Sequence, residues 1–173
     1  MKETLNDLKT RRSCRAYRPE QIKKNELDAV LEAGTYAPSG MGKQGSMIVG
    51  VQDQELIKKI SKMNADIMGA DIDPFYGAPT VLVVFSDTET PTYRDDGALV
   101  IGNILNAAHA VGLGSCMIYR AREVFSTDEG KAMKKKWGVP DSYEGIGNCV
   151  IGYAAEGGIE AAAPRKADYI IRV

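Results

Sequence analysis

Six consecutive residues, Thr80 to Phe85 (TVLVVF), are almost all apolar and mostly β-branched, with no alternation of polar and apolar positions. A strand without that alternation is a central strand buried on both faces, so it needs a covering layer on each side. The segment Asp96 to Val111 is small and apolar nearly all round, which predicts a fully buried helix packed closely through Gly102 and its alanines. A buried strand and a buried helix in one chain of 173 residues point to a sheet layered with helices.

The remaining segments supply those layers. Leu5 and Leu8 begin a short helical pattern, starting near Thr4 or Asn6, that RRSCRAYRP breaks. Asn25 to Ala37 reads as a helix, with Asn25 and Asp28 as a capping pair, Leu27, Val30, Leu31 and Gly34 on one face, and Pro38 as its stop. Asp53 caps a helix that turns Leu56, Ile57, Ile60 and Met63 inward. Thr127 or Asp128 opens another, with Lys134 to Lys136 on a solvated face. Strands are expected over Ser46–Val51, Ser115–Tyr119 and Asn148–Tyr153, and Tyr169–Val173 is strand-like. No repeat or linker divides the chain, so residues 1–173 are expected to form one α/β or α+β domain.

Composition narrows the function. Hydrophobic residues are 44% and charged residues 26%, an ordinary globular balance, and a net charge of −1 argues against nucleic-acid binding. The three cysteines, Cys14, Cys116 and Cys149, lie far apart and form neither a disulfide framework nor a zinc pattern. They suit a reducing compartment. The N-terminus carries charges where a signal peptide needs an apolar stretch, and no apolar run approaches the roughly 18–20 residues that span a bilayer. A soluble cytoplasmic protein, with no membrane partner, is expected.

Three segments carry candidate chemistry. In Arg11-Arg12-Ser13-Cys14-Arg15, guanidinium forks and a hydroxyl leave a helix end together, and alternate residues of an extended chain, Ser13 and Arg15, could converge on one anion. The same arginines could instead complement the negative end of the first helix. Pro38-Ser39-Gly40 through Gln44 is a loop whose small residues admit a ligand to the backbone, or else an ordinary surface turn. Gly112-Leu113-Gly114-Ser115-Cys116 joins the buried helix to a strand, a favoured ligand position in layered folds and equally a plain glycine C-cap. The single histidine, His109, lies in the apolar helix and reads as a hydrogen-bonded core residue. Asp95-Asp96 reads as a helix start, not a magnesium site, and no metal site or nucleophile elbow is expected. A site lacking an obvious acid, base or nucleophile suits a protein whose cofactor brings the chemistry.

These segments, in order, resemble the FMN-dependent nitroreductase family and its short members. Arg11 to Arg15 is similar to an RRSxR opening, Ala37 to Gly40 with Gln44 to an APSxxNxQ loop, and Phe75 to Pro79 to an FYGAP segment. Gly112 to Cys116 is similar to a GLGSC segment, and Pro164-Arg165-Lys166 to a basic C-terminal element. Gly42 replaces the loop's usual Asn, Gly45-Ser46 its Pro-Trp, and Met117 a Trp. The resemblance implies an α+β fold with a central mixed sheet flanked by helices, in an intertwined homodimer with two FMN sites. It implies that Arg11, Arg12, Ser13, Arg15 and Arg165 hold the phosphate, ribityl chain and pyrimidine edge. Pro38, Ser39, Gly40 and Gln44 would come from the partner. Met117, Ile118, Tyr119 and Arg120 would border the ring, with a backbone N–H near flavin N5, and Asn64 would reach the flavin. The implied activity is hydride transfer from NADH or NADPH through N5 to a small acceptor such as a nitroaromatic or quinone, with no protein residue as obligate acid or base. Enone reduction, dehalogenation or non-catalytic flavin binding on the same scaffold are the alternatives.

Overall fold

The computed structural model describes residues 2–173 and contains, besides a short 3-10 turn at Gly40–Gly42, six α-helices and four strands among them. In chain order these are α1 (Glu3–Thr10), α2 (Lys24–Thr35), β1 (Ser46–Val51), α3 (Gln54–Met68), β2 (Thr80–Asp87), α4 (Tyr93–Ala110), β3 (Gly114–Ile118), α5 (Ala121–Ser126), α6 (Asp128–Trp137) and β4 (Tyr143–Gly152). The sheet order is β1-β2-β4-β3, and all three pairings are antiparallel. The one parallel pairing among the described residues is an isolated bridge outside the strands, Ser13 to Ser115, on the outer edge of β3.

β2 is buried on both faces, as its composition requires. Val81, Val83 and Phe85 point into a core filled by Ile57 and Ile60 of α3, Val124 and Phe125 of α5, and Met133 of α6. Leu82 and Val84 point the other way, into a core with Val30 of α2 and Val100, Ile101 and Ile104 of α4. Each fully buried aliphatic or aromatic side chain contributes about 1.5–3 kcal/mol. Phe85 and Phe125 meet edge-on at 4.9 Å between ring centroids. β2 and β4 slip register between Val84 and Phe85, so Ile146 has no partner across the ladder. Such a bulge re-aims a side chain.

Several local expectations change. The cap of α2 is set by Glu26, whose carboxylate accepts the Lys23 N–H at 3.0 Å, not by Asn25 and Asp28. Asp53 does cap α3, accepting Leu56 N–H at 2.8 Å, and Thr127 caps α6 through Gly130 N–H at 3.0 Å. α4 starts three residues earlier than expected and is not fully buried: Ala98 and Leu99 are exposed, and a Cβ on Gly102 would meet nothing. Leu5 and Leu8 of α1 are likewise exposed. Lys134 is not on a solvated face; it is 7% exposed and donates to the carbonyls of Asp141 and Tyr143. The strand-like tail Tyr169–Val173 pairs with nothing in the single chain and exposes Tyr169, Ile170 and Ile171. α5 was not expected from the sequence.

Candidate functional site

The Arg11–Arg15 segment is extended and lies against the outer edge of β3. Cys14 N–H donates to Ser115 O at 2.9 Å, and Arg15 N–H to Gly158 O at 2.8 Å. Cys14 also bridges to Ile159, so the segment is held between β3 and the chain beyond β4. Gly114 permits this approach, because a Cβ there would stand 2.7 Å from Cys14 Sγ. Cys14 is wholly buried, its Sγ donating to Ala16 O at 3.2 Å, and burial raises the pKa of its thiol.

The arginines divide in role. Arg12 turns back on α1, its Nη1 donating to Lys9 O at 2.7 Å and Arg11 O at 2.6 Å, where it complements the negative helix end. Arg11 and Arg15 make no ion pair or hydrogen bond through their guanidiniums among the described residues. Two unengaged guanidiniums and the Ser13 hydroxyl, at alternate positions of an extended segment, are groups that could hold a phosphate. Arg165 is exposed on the tail and donates to Ala163 O at 2.7 Å; no contact joins it to Arg11 or Arg15.

β3 leads from this cluster to the second group of candidates. Met117 is half-buried on the α4 side. Ile118 is turned into the opposite core, which leaves only its backbone to border a ligand. Tyr119 is exposed, and Arg120 takes a left-handed backbone conformation at φ 73°. The Tyr119 carbonyl is gripped from below by two buried amides: Asn64 Nδ2 donates to it at 2.7 Å and Asn148 Nδ2 lies at 3.5 Å. Asn64 is wholly buried beneath this turn, and its amide nitrogen is spent on the Tyr119 carbonyl. Both Oδ1 atoms lack a hydrogen-bond partner.

The Pro38–Gln44 loop lies elsewhere, at the start of β1. Pro38, Ser39 and Gln44 line a cavity of about 390 Å³ with Ile48, Val100 and Asp96. Ser39 Oγ accepts Gln44 N–H at 3.0 Å, and Gln44 sits at φ 52°. The Gly40 N–H donates to Asp96 Oδ1 at 3.0 Å, and Asp96 Oδ2 accepts from Thr92 at 3.0 Å. A Cβ at Gly40 would be 2.2 Å from Thr92 Oγ1, so any larger residue must displace the Thr92 side chain. β1 and β3 are opposite edges of the sheet, three strand spacings or about 14 Å apart. The two groups of candidates do not form one cleft within a single chain.

His109 is engaged structurally, with Nε2 2.9 Å from Thr10 Oγ1. Among the described residues no group of three or more His, Cys, Asp or Glu side chains could hold a metal, and no helix is long and apolar enough to cross a membrane. Asp96 and Asn148 escaped sequence reasoning as site-shaping residues. Asn148 did leave a signal, a lone amide at the head of the apolar stretch CVIG.

Comparison with known proteins agrees with this architecture. The model of the nitroreductase family matches residues 8–74. A protein of Archaeoglobus fulgidus named "Putative NADH dehydrogenase/NAD(P)H nitroreductase" is 30% identical over 159 residues, which span 88% of this chain and 86% of that one. The FMN reductase (NAD(P)H) of Bacillus subtilis is 38% identical over 139 residues, 70% of this chain and 56% of that protein. The crystal structure of a nitroreductase with bound FMN from Bacteroides fragilis is similar with a TM-score of 0.91 and 30% identity, covering 100% of both chains.

Proposed function

The chain belongs to the nitroreductase family, and from that premise we propose that it is an FMN-dependent oxidoreductase. It works as a homodimer and passes hydride from NADH or NADPH to a small acceptor such as a nitroaromatic or quinone. The observation that carries this reading is the anion site at the edge of β3: Arg11 and Arg15 unengaged, Ser13 bridged to Ser115, and the same strand leading to the exposed Tyr119–Arg120 turn. FMN has a phosphate at one end and a ring at the other, and this segment offers cations at one end and a presented backbone at the other.

FMN, when bound, supplies the reversible acceptance and donation of hydride. The chain's residues position it. Arg11 and Arg15 would hold the phosphate by charge-assisted hydrogen bonds, and Ser13 would add a hydroxyl. Arg165, on the exposed tail, would add a further cation to this set. Asn64 and Asn148 fix the Tyr119 carbonyl, and with it the turn whose backbone N–H groups would serve as donors to the ring, where donors favour developing negative charge. Ser39 and Gln44 come from the second protomer, because the same chain's loop lies at the far sheet edge.

The dimer is supported by apolar surface left open in one chain: Leu5 and Leu8 on α1, Leu99 at 46% exposure on α4, and Ile170 and Ile171 on the tail. A second copy covers these. Three buried free cysteines suit a reducing cytoplasm.

The visible spectrum of the purified protein is the test. A yellow protein that bleaches on anaerobic titration with NADH or NADPH and recovers its colour with a nitroaromatic or quinone is the expected result. A colourless protein that takes up no FMN on reconstitution refutes the proposal.

A further inference from the structure

Beside the Tyr119–Arg120 turn is a second cavity, of about 260 Å³. Its apolar wall is Met117 of β3, Ala98 of α4 and the bulged Ile146. Its polar rim carries Arg94, Arg120, Arg122, Glu123 and Glu144. Four of those charges are matched in pairs. Arg94 Nε donates to Glu144 Oε1 at 3.1 Å, and Arg122 Nη2 to Glu123 Oε1 at 3.2 Å. The Arg120 guanidinium makes no hydrogen bond or ion pair among the described residues, and acts on Glu123 only at longer range. The rim therefore carries one excess positive charge, and that charge is Arg120.

The backbone of Arg120 makes its presence more informative. At φ 73° it occupies a region where glycine is comfortable and an arginine is strained, at a cost of about 1 kcal/mol or more. A turn needing only that geometry would be met better by glycine. The strain is held by the buried amides beneath Tyr119.

Resting on the function proposed above, we infer that Arg120 is a specificity residue that selects acceptors carrying a carboxylate on a single aromatic ring. The apolar wall takes the flat ring, and the uncompensated guanidinium takes the carboxylate by a bidentate pair. A carboxylate on the acceptor and a phosphate on the nicotinamide donor share the chemistry an arginine recognises. The cavity favours the acceptor, because 260 Å³ is below the roughly 300–1,000 Å³ that drug-sized ligands occupy and far too small for a dinucleotide.

The test uses the FMN-reconstituted dimer and two probes of the same shape, 4-nitrobenzoate and 4-nitrobenzamide. Binding is measured by calorimetry and reduction by steady-state kinetics, for the wild type, Arg120→Gly and Arg120→Lys. The wild type is expected to bind the benzoate at least about tenfold more tightly than the amide, the scale of a hydrogen-bonded charge. Arg120→Gly is expected to bind both equally while its Tm holds or rises, because glycine relieves the strained backbone. Arg120→Lys keeps part of the preference. The ratio of KM for NADPH to that for NADH stays fixed across the three. Equal binding of the two probes by wild type overturns the inference, as does a preference that survives in Arg120→Gly or a change confined to the NADPH ratio. A yellow protein that reduces the amide as readily as the benzoate leaves the oxidoreductase reading standing and removes this one. A protein that takes no flavin yet prefers benzoate through Arg120 does the reverse.

Discussion

Asn64 and Asn148 reach for the same carbonyl, but on unequal terms, and the inequality can be measured. Asn64 Nδ2 stands 2.7 Å from Tyr119 O, a full hydrogen bond. Asn148 Nδ2 stands 3.4 Å from Ile118 O and 3.5 Å from Tyr119 O, both at the edge of what counts as one. Both residues are wholly buried, and both leave Oδ1 without a partner. Truncation of either to alanine removes the same three heavy atoms, opens a similar void and abolishes one orphaned oxygen. Those contributions cancel between the two variants. What remains is the one good bond, worth about 0.5–1.5 kcal/mol. Asn64→Ala is therefore expected to lose that much more stability than Asn148→Ala. For a chain of this size that is a Tm lower by roughly 2–4 °C for each kcal/mol. Urea unfolding at one fixed protein concentration is the assay, since a dimer's stability depends on concentration. If Asn148→Ala is the less stable of the two, or the two are equal, the reasoning about the turn is wrong.

Three further outcomes are expected. Arg15→Ala weakens FMN retention by about tenfold or more with little change in Tm, whereas Arg12→Ala, which strips the carbonyls of Lys9 and Arg11 of their donor, lowers stability by about 1 kcal/mol; equilibrium dialysis and thermal melts separate the two. Gly40→Ala forces a Cβ against Thr92 Oγ1 and parts Gly40 from Asp96, at a cost of about 1–3 kcal/mol and with loss of flavin, read by melts and by absorbance. Burial lowers the pKa of Lys134 below its ordinary 10.5, so in the window between the folded value and 10.5 the unfolded chain binds more protons and stability rises with pH; Lys134→Met is expected to flatten that rise in urea titrations run at stepped pH.

Much of the layering was legible in the sequence because it rests on burial. TVLVVF declared a strand covered on both faces, and Asp53 and Thr127 announced helix starts by the side-chain oxygens they offer. The bounds of β1 match Ser46–Val51. Reading failed where tertiary placement overrode local pattern. Lys134 sits in a run of three lysines, and nothing in that run tells which one the 141–143 turn will bury. α4 was read as fully buried because small residues are indifferent to exposure; its open stripe at Ala98, Leu99 and Gly102 is a property of what packs beside it. At the site, the motifs located the strand, the loop and the arginines. They could not distinguish Arg12, spent on its own helix, from Arg15, which is not, and they did not reveal that Asn64 works from beneath the turn.

The distance between β1 and β3 has a genetic corollary. In the proposed homodimer each protomer would bring the phosphate-holding edge to one pocket and the Pro38–Gln44 loop to the other. A chain damaged only at Arg15, mixed with a chain damaged only at Gly40, assembles some hybrids in which one pocket carries both lesions and the other carries neither. Two inactive alleles would thus restore partial function to each other, a behaviour closed to any enzyme that builds its whole pocket from a single polypeptide.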